Sequence, residues 1–135
     1  MTSASKLYFL PSKHLSKFKT FMKNLGYEVE LMKPLEFIRK AQQGKVNSSG
    51  LKCIIIEDVC KFLNDEFVDL NLALSTLKTA LTKVNCMKVL EVPRITELGT
   101  HVEFCGIVME ISAVEIYEMQ QYKEDEGIEL TIVKL

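Results

Sequence analysis

Cys53-Ile54-Ile55-Ile56-Glu57-Asp58 is the stretch on which the reading of this chain turns. Nothing in its middle is polar. A strand apolar on both faces belongs at the centre of a covered, mostly parallel sheet, not on the half-wet face of an antiparallel one. It ends on two carboxylates, and open α/β sheets keep their sites at the carboxyl ends of their strands. The stretch predicts a fold class and also a place to look for function.

On the amino-terminal side, Lys6-Leu7-Tyr8-Phe9-Leu10 reads as a first strand stopped by Pro11. Ser12 is a reasonable N-cap for a helix running to Leu25, with Leu15, Phe18, Met22 and Leu25 as its buried stripe and Gly26 as its left-handed end. Tyr27-Glu28-Val29-Glu30-Leu31-Met32 alternates apolar and acidic residues, the mark of a half-exposed strand. Pro34 opens a second helix that Gly44 closes, and Asn47-Ser48-Ser49-Gly50 is a turn before the central strand.

On the other side, Asp65 to Val84 is the longest helical stretch, with Phe67, Leu70, Leu74, Leu77 and Leu81 in period. Lys88-Val89-Leu90-Glu91-Val92 is a fourth strand, stopped by Pro93. The order β-α-β-α-β-α-β with short connections implies right-handed crossovers and helices on both faces of the sheet. From Ile95 to Met119 the apolar residues fit both helix and strand; the expectation is a helix over Thr96–Met109, although Gly99 and Gly106 weaken it. Ile128 to Val133 reads as an edge strand. The expected architecture is a single three-layer α/β domain over residues 1–135, with a mostly parallel sheet of four or five strands.

The totals agree with a globular protein: 135 residues, 47% hydrophobic and 26% charged, without low-complexity tracts. No apolar run approaches the roughly 20 residues of a membrane span, and the first residues do not read as a secretory signal. An intracellular protein, cytoplasmic or nuclear, is expected. Cys53, Cys60, Cys86 and Cys105 form no C-x-x-C pair and are read as reduced core thiols. His14 and His101 have no cysteine at a finger-like spacing, so no metal site is expected.

Charge is uneven. Residues 1–52 hold ten Lys/Arg against three Asp/Glu, and residues 53–135 hold seven against fifteen. Lys13, Lys17, Lys19, Lys23, Arg39 and Lys40, with Lys33, Lys45 and Lys52, are candidate contacts to nucleic-acid phosphates. The plainer reading is that solvated lysine faces fell early in the chain; the excess of lysine over arginine fits it.

The strand order resembles that of phosphoacceptor receiver domains, in which an aspartate ending the third strand takes the phosphoryl group; Asp58 falls close to that place. That resemblance implies an acidic pair after the first strand to hold magnesium. Leu10-Pro11-Ser12 stands there instead, and Glu91-Val92-Pro93 stands where a hydroxyl residue is expected after strand four. The order is also similar to nuclease-type cores whose catalytic residues have been lost, without a Glu-Arg-Lys cluster here. Ile56-Glu57-Asp58-Val59 resembles a short run in small RNA-binding α/β domains. The lone glycines form neither GxGxxG nor GxxxxGK[ST], so no nucleotide or other cofactor is expected.

Glu103, Glu110, Glu115 and Glu118 alternate with more large apolar residues than one small sheet face needs. An apolar patch rimmed by charge marks an interaction surface. Phe104, Ile107, Ile111, Ile116 and Tyr117 are therefore the candidate protein-interface residues. Ordinary core is the alternative for the same residues. The functional expectation is a non-catalytic intracellular subunit or adaptor acting by protein–protein association, with nucleic-acid binding through the lysines as the second reading.

Overall fold

The computed structural model describes residues 6–46, 50–64, 69–110 and 131–134. Four parallel strands form the centre: β1 (Lys6–Pro11), β2 (Glu28–Met32), β3 (Lys52–Ile56) and β4 (Met87–Val92). A fifth, β8 (Thr131–Lys134), lies antiparallel on β1, and the order across the sheet is β2-β3-β4-β1-β8. The central run is as expected: all five residues of β3 are buried between β2 and β4. The edge strand expected over Ile128–Val133 is present as β8 from Thr131 on; residues 128–130 lie outside the described ones.

From β1 the chain crosses to the far edge at β2, then returns through β3 and β4. Right-handed crossovers in opposite directions place the connecting helices on opposite faces. Accordingly α1 (Leu15–Asn24) packs Phe18 and Met22 against Tyr8, Leu10, Cys53, Ile55, Met87 and Val89 on one face. On the other face α2 (Pro34–Gln42), α3 (Val59–Leu63) and α4 (Leu70–Lys83) cover Phe9, Ile54, Ile56, Leu90 and Val92. The three layers follow from alternation: neighbouring residues of each strand feed opposite cores.

Helix ends obey local chemistry. Gly26, at φ 95°, closes α1 in a Schellman motif, with Tyr27 N–H on the Met22 carbonyl and Gly26 N–H on that of Lys23. Asp69 caps α4 by accepting from Leu72 N–H at 3.0 Å. Ser12 does not cap α1. It opens a short 3-10 turn, Ser12–His14, and α1 starts after it without a side-chain cap.

The long helix expected over Asp65–Val84 is present as α4, Leu70–Lys83; α3 precedes that stretch and was not expected, and residues 65–68 lie outside the described ones. The helix expected over Thr96–Met109 is instead an antiparallel meander: β5 (Thr96–Leu98), β6 (His101–Phe104) and β7 (Ile107–Glu110). The turns decide it. Gly99 has φ 67°, and Cys105-Gly106 have φ 50° and 77°, both positive as a two-residue hairpin turn of type I′ demands. A helix admits neither.

The meander is fixed in two ways. Phe104 is buried against Phe9, ring centroids 4.2 Å apart, within the core that α2, α3 and α4 share. Cys105, in the turn, is disulfide-bonded to Cys60 of α3, with Cα atoms 5.3 Å apart. The expectation of four reduced thiols thus holds for Cys53 and Cys86, both buried, and fails for the other two. Strand alternation hid the pairing, because Cys60 and Cys105 sit 45 residues apart on elements of different type.

Two lysines lie inside. Lys52 is ion-paired with Glu30 at 2.7 Å, and that hydrogen bond raises its pKa. Lys88 has no exposed surface, and its ammonium donates to the Val84 carbonyl at the end of α4. Burial pushes the Lys88 pKa down to about 8. The neighbouring Cys86 thiol is raised by burial, and Cys53 is pushed up to about 12 by the same cause.

Candidate functional site

The carboxyl ends of the four parallel strands bring together Lys33 after β2, Asp58 after β3, Glu91 near the end of β4 and Ser12 after β1, while Glu57, before Asp58, is half-buried with its N–H on the Met32 carbonyl. In spatial order Lys33, Asp58, Glu91 and Ser12 form one continuous row. Lys33 Nζ meets Asp58 Oδ2 at 2.7 Å. Asp58 N–H donates to Glu91 Oε1 at 3.2 Å. Ser12 Oγ–H lies on Glu91 Oε2 and 3.0 Å from the Val92 carbonyl. The chain leaves β1 towards the α1 face and reaches β4 from the α4 face, so the β1–β4 crevice is the topological switch point where α/β sheets hold ligands.

The electrostatics follow from these contacts. Its hydrogen bond to Asp58 raises the Lys33 pKa, and the same bond, with the charges of Lys33 and Lys61, holds the Asp58 carboxyl below its ordinary value. Asp58 adopts φ 57°, a left-handed conformation that Asp tolerates better than most residues. That geometry aims its carboxylate across to Lys33 and its N–H at Glu91. Lys33 and Asp58 side chains are 59% and 53% exposed, so solvent screens their pair and leaves it little weight in stability.

Glu91 is different, because it is half-buried and accepts two hydrogen bonds. Glu91→Ala is expected to cost about 2 kcal/mol in urea unfolding, against less than about 1 kcal/mol for Lys33→Ala. Equal costs would show that Glu91 is not the tie that holds the strand ends.

Beside the row, a cavity of about 250 Å³ is lined by Cys60, Pro93, Arg94, Glu103, Cys105 and Gly106. Its walls are the disulfide, the segment after β4 and the tip of the β6–β7 hairpin. One cation, Arg94, and one carboxylate, Glu103, line it, and Glu103 Oε1 accepts from Gly106 N–H at 3.1 Å. Among the described residues no group of three or more His, Cys, Asp and Glu could hold a metal ion. His101 is exposed and its Nδ1 lies 2.9 Å from Thr100 Oγ1, not on a carboxylate. His14 ends the 3-10 turn, and its Nε2 is buried without a hydrogen-bond partner.

The receiver-like reading fails on wiring. Flavodoxin-like sheets, receivers among them, run 2-1-3-4-5 and flank strand one with strands two and three. Here β1 lies between β4 and β8, so Asp58 does not face the end of β1. Ser12 and Glu91, the residues at the switch point, were not singled out by the sequence as a pair. The signal was available only in combination, as the residues that follow or end each parallel strand.

The lysines divide. Lys13 sits in the 3-10 turn, and Lys17, Lys19 and Lys23 on α1. Arg39 and Lys40 are on α2, across the sheet, and Lys40 is ion-paired with Glu36 at 3.2 Å. The six do not make one surface, because consecutive crossovers in opposite directions put α1 and α2 on opposite faces.

The interface candidates divide as well. Phe104 is 1% exposed and belongs to the core, so it offers no surface to a partner; Ile107 opposite it is half-buried against the same core. Ile111, Ile116 and Tyr117 lie outside the described residues. Register assigns the other face of the meander to Thr96, Leu98, His101, Glu103 and Val108, since residues directly opposite across antiparallel strands share a face. On it Leu98 is 51% and Val108 55% exposed. Comparison of the chain with protein-family models, with curated proteins and with solved structures finds no match.

Proposed function

We propose that this domain works by association with another protein, without catalysis, and that the outward face of the meander is its contact surface. The observation that carries the reading is the pair Leu98 and Val108, large apolar side chains exposed on a small sheet whose inner face is anchored by Phe104 and the disulfide. On this face Leu98 of β5 and Val108 of β7 stand on either side of His101 and Glu103 of the middle strand β6, so apolar and polar side chains are mixed across it, as they are over a protein interface taken as a whole. A platform held at its back loses little entropy on docking. The row at the strand ends supports the same reading, because Lys33, Asp58, Glu91 and Ser12 engage one another. The Cys60–Cys105 disulfide favours an oxidising setting over the cytoplasmic or nuclear one expected from the sequence. Among the described residues no helix is long and apolar enough to cross a membrane.

The test is Leu98→Asp combined with Val108→Asp. Association, measured by light scattering of the purified chain and by stoichiometric recovery of a partner from native extract, is expected to weaken at least tenfold. Melting temperature is expected to move by no more than a few degrees, as for exposed substitutions. Association that survives the double change rules out this face, and loss of the fold places both residues in the core.

A further inference from the structure

A second surface lies on the opposite side of the sheet. The only helix covering that face among the described residues, α1, has an exposed crest of Ser16, Thr20 and Asn24, spaced one turn apart. Lys17 flanks the crest on one side, Lys19 and Lys23 on the other, and Lys13 stands at its head. No acidic residue occurs from Lys6 to Tyr27. None of the four lysines is ion-paired among the described residues.

Among the described residues, the strands beneath carry little negative charge on this side. Val29 and Leu31 pack into the α1 core, so the alternate residues Glu28 and Glu30 belong to the other face, where Glu30 binds Lys52. Glu91, near the head of α1, is engaged by Ser12 and by the Asp58 N–H. The chain as a whole carries a net charge of −1, so this is a local positive field and not a property of the whole protein.

We infer that the α1 crest binds the phosphodiester backbone of nucleic acid, without reading its sequence. Two features select that partner. Hydroxyl and amide side chains flanked by ammonium groups are what phosphate oxygens take from proteins, whereas base reading relies on bidentate arginine or amide contacts in a groove. From Ser16 to Asn24 the crest runs about 12 Å, enough to meet successive phosphates along one strand. A membrane surface would need apolar side chains to insert. Phe18 and Met22 are buried beneath α1, and Leu15 and Phe21 are half-buried in the same core.

The probe is a fluorescently labelled 20-base-pair duplex, read by anisotropy from 50 to 200 mM salt, with phosphatidylserine vesicles as a parallel arm. Binding is expected with a log–log salt slope near −3 to −4, one counterion for each lysine contact. Lys17→Glu with Lys23→Glu is expected to weaken duplex binding at least tenfold at 50 mM salt and to bring the slope to about −2 or shallower. Arg39→Glu with Lys45→Glu, on the α2 side, is expected to leave both unchanged. Absence of duplex binding at 50 mM salt overturns the inference, as does binding to vesicles alone. Equal weakening by the two double variants also overturns it, since that describes a diffuse charge effect. Leu98→Asp with Val108→Asp is expected to leave duplex binding intact, which separates this surface from the meander.

Discussion

Cys60→Ser is expected to lower the stability of the oxidised protein by about 4 kcal/mol and its melting temperature by roughly 10–15 °C. The estimate comes from the loop that the disulfide closes. Cys60 and Cys105 are 45 residues apart, and removing a cross-link of that span releases that much chain entropy in the unfolded state. The substitution is made on α3 because Cys105 occupies a left-handed turn position whose own strain would confuse the result. Wild-type protein in excess dithiothreitol is expected to melt with the variant, while the variant is indifferent to reductant. Identical melting of the wild type with and without reductant would show that the staple contributes nothing. Loss of the staple is also expected to weaken association through Leu98 and Val108, because the meander would then be held only by the packing of Phe104 and Ile107, without a covalent tie.

The second large effect concerns Lys88. Its pKa is about 8 in the folded chain, against 10.5 when solvated. Below pH 8 both states carry the proton, and the folded state bears the full cost of a buried cation. Between pH 8 and 10.5 the folded state has released the proton and the unfolded state has not, so stability rises with pH across that window. The gain is about 3 kcal/mol. Lys88→Met is expected to remove this rise and to stabilise the protein at pH 7. Its net gain there is about 1–2 kcal/mol, because the Val84 carbonyl loses its donor. Urea unfolding of both proteins at pH 7, 8, 9 and 10 reads the effect as a difference between them. The difference is needed because Cys53, held up near 12, works the other way: above pH 9 its thiol ionises in the unfolded chain first, and stability falls. A variant less stable than wild type at pH 7, with parallel pH profiles, would mean that the Lys88 amine is a structural tie worth more than its desolvation costs.

The parts of the fold legible in the sequence were those where one pattern admits one structure. Cys53 to Ile56, apolar on both sides, could only be a central strand. Glu28 to Met32, alternating acidic and apolar, was placed as a half-exposed strand and is the sheet edge. Gly26 and Gly44 marked helix ends because their positive φ is what such ends require. The meander was misread because Leu98, Val102, Cys105, Val108 and Met109 satisfy a helical period, while Val102 with Phe104 and Ile107 with Met109 satisfy an alternating one. Gly99-Thr100 and Cys105-Gly106, two-residue turns between short runs, carried the deciding information. Strand order was not legible, because chain order says which strands are parallel and not that β1 would lie beside β4.

That gap explains the site as well. Ser12 and Glu91 are 79 residues apart and meet only because β1 pairs with β4. Asp58 was recognised from its place after the central strand, but its partner Lys33 was one of many lysines until β2 was set beside β3. The exposed pair Leu98 and Val108 emerged only from the register of the meander, which also sent Phe104, a surface candidate by composition, into the core.

The proposed function puts the partner on the outward face of the meander and not on the polar row at the strand ends. Amide hydrogen exchange on the chain alone and in the complex recovered from native extract tests it most directly. Added protection is expected at residues 96–98 and 107–110, with residues 33, 58 and 91 unchanged. Protection that appears at the strand ends while the meander exchanges as before would contradict it and would move the working site to the β1–β4 crevice.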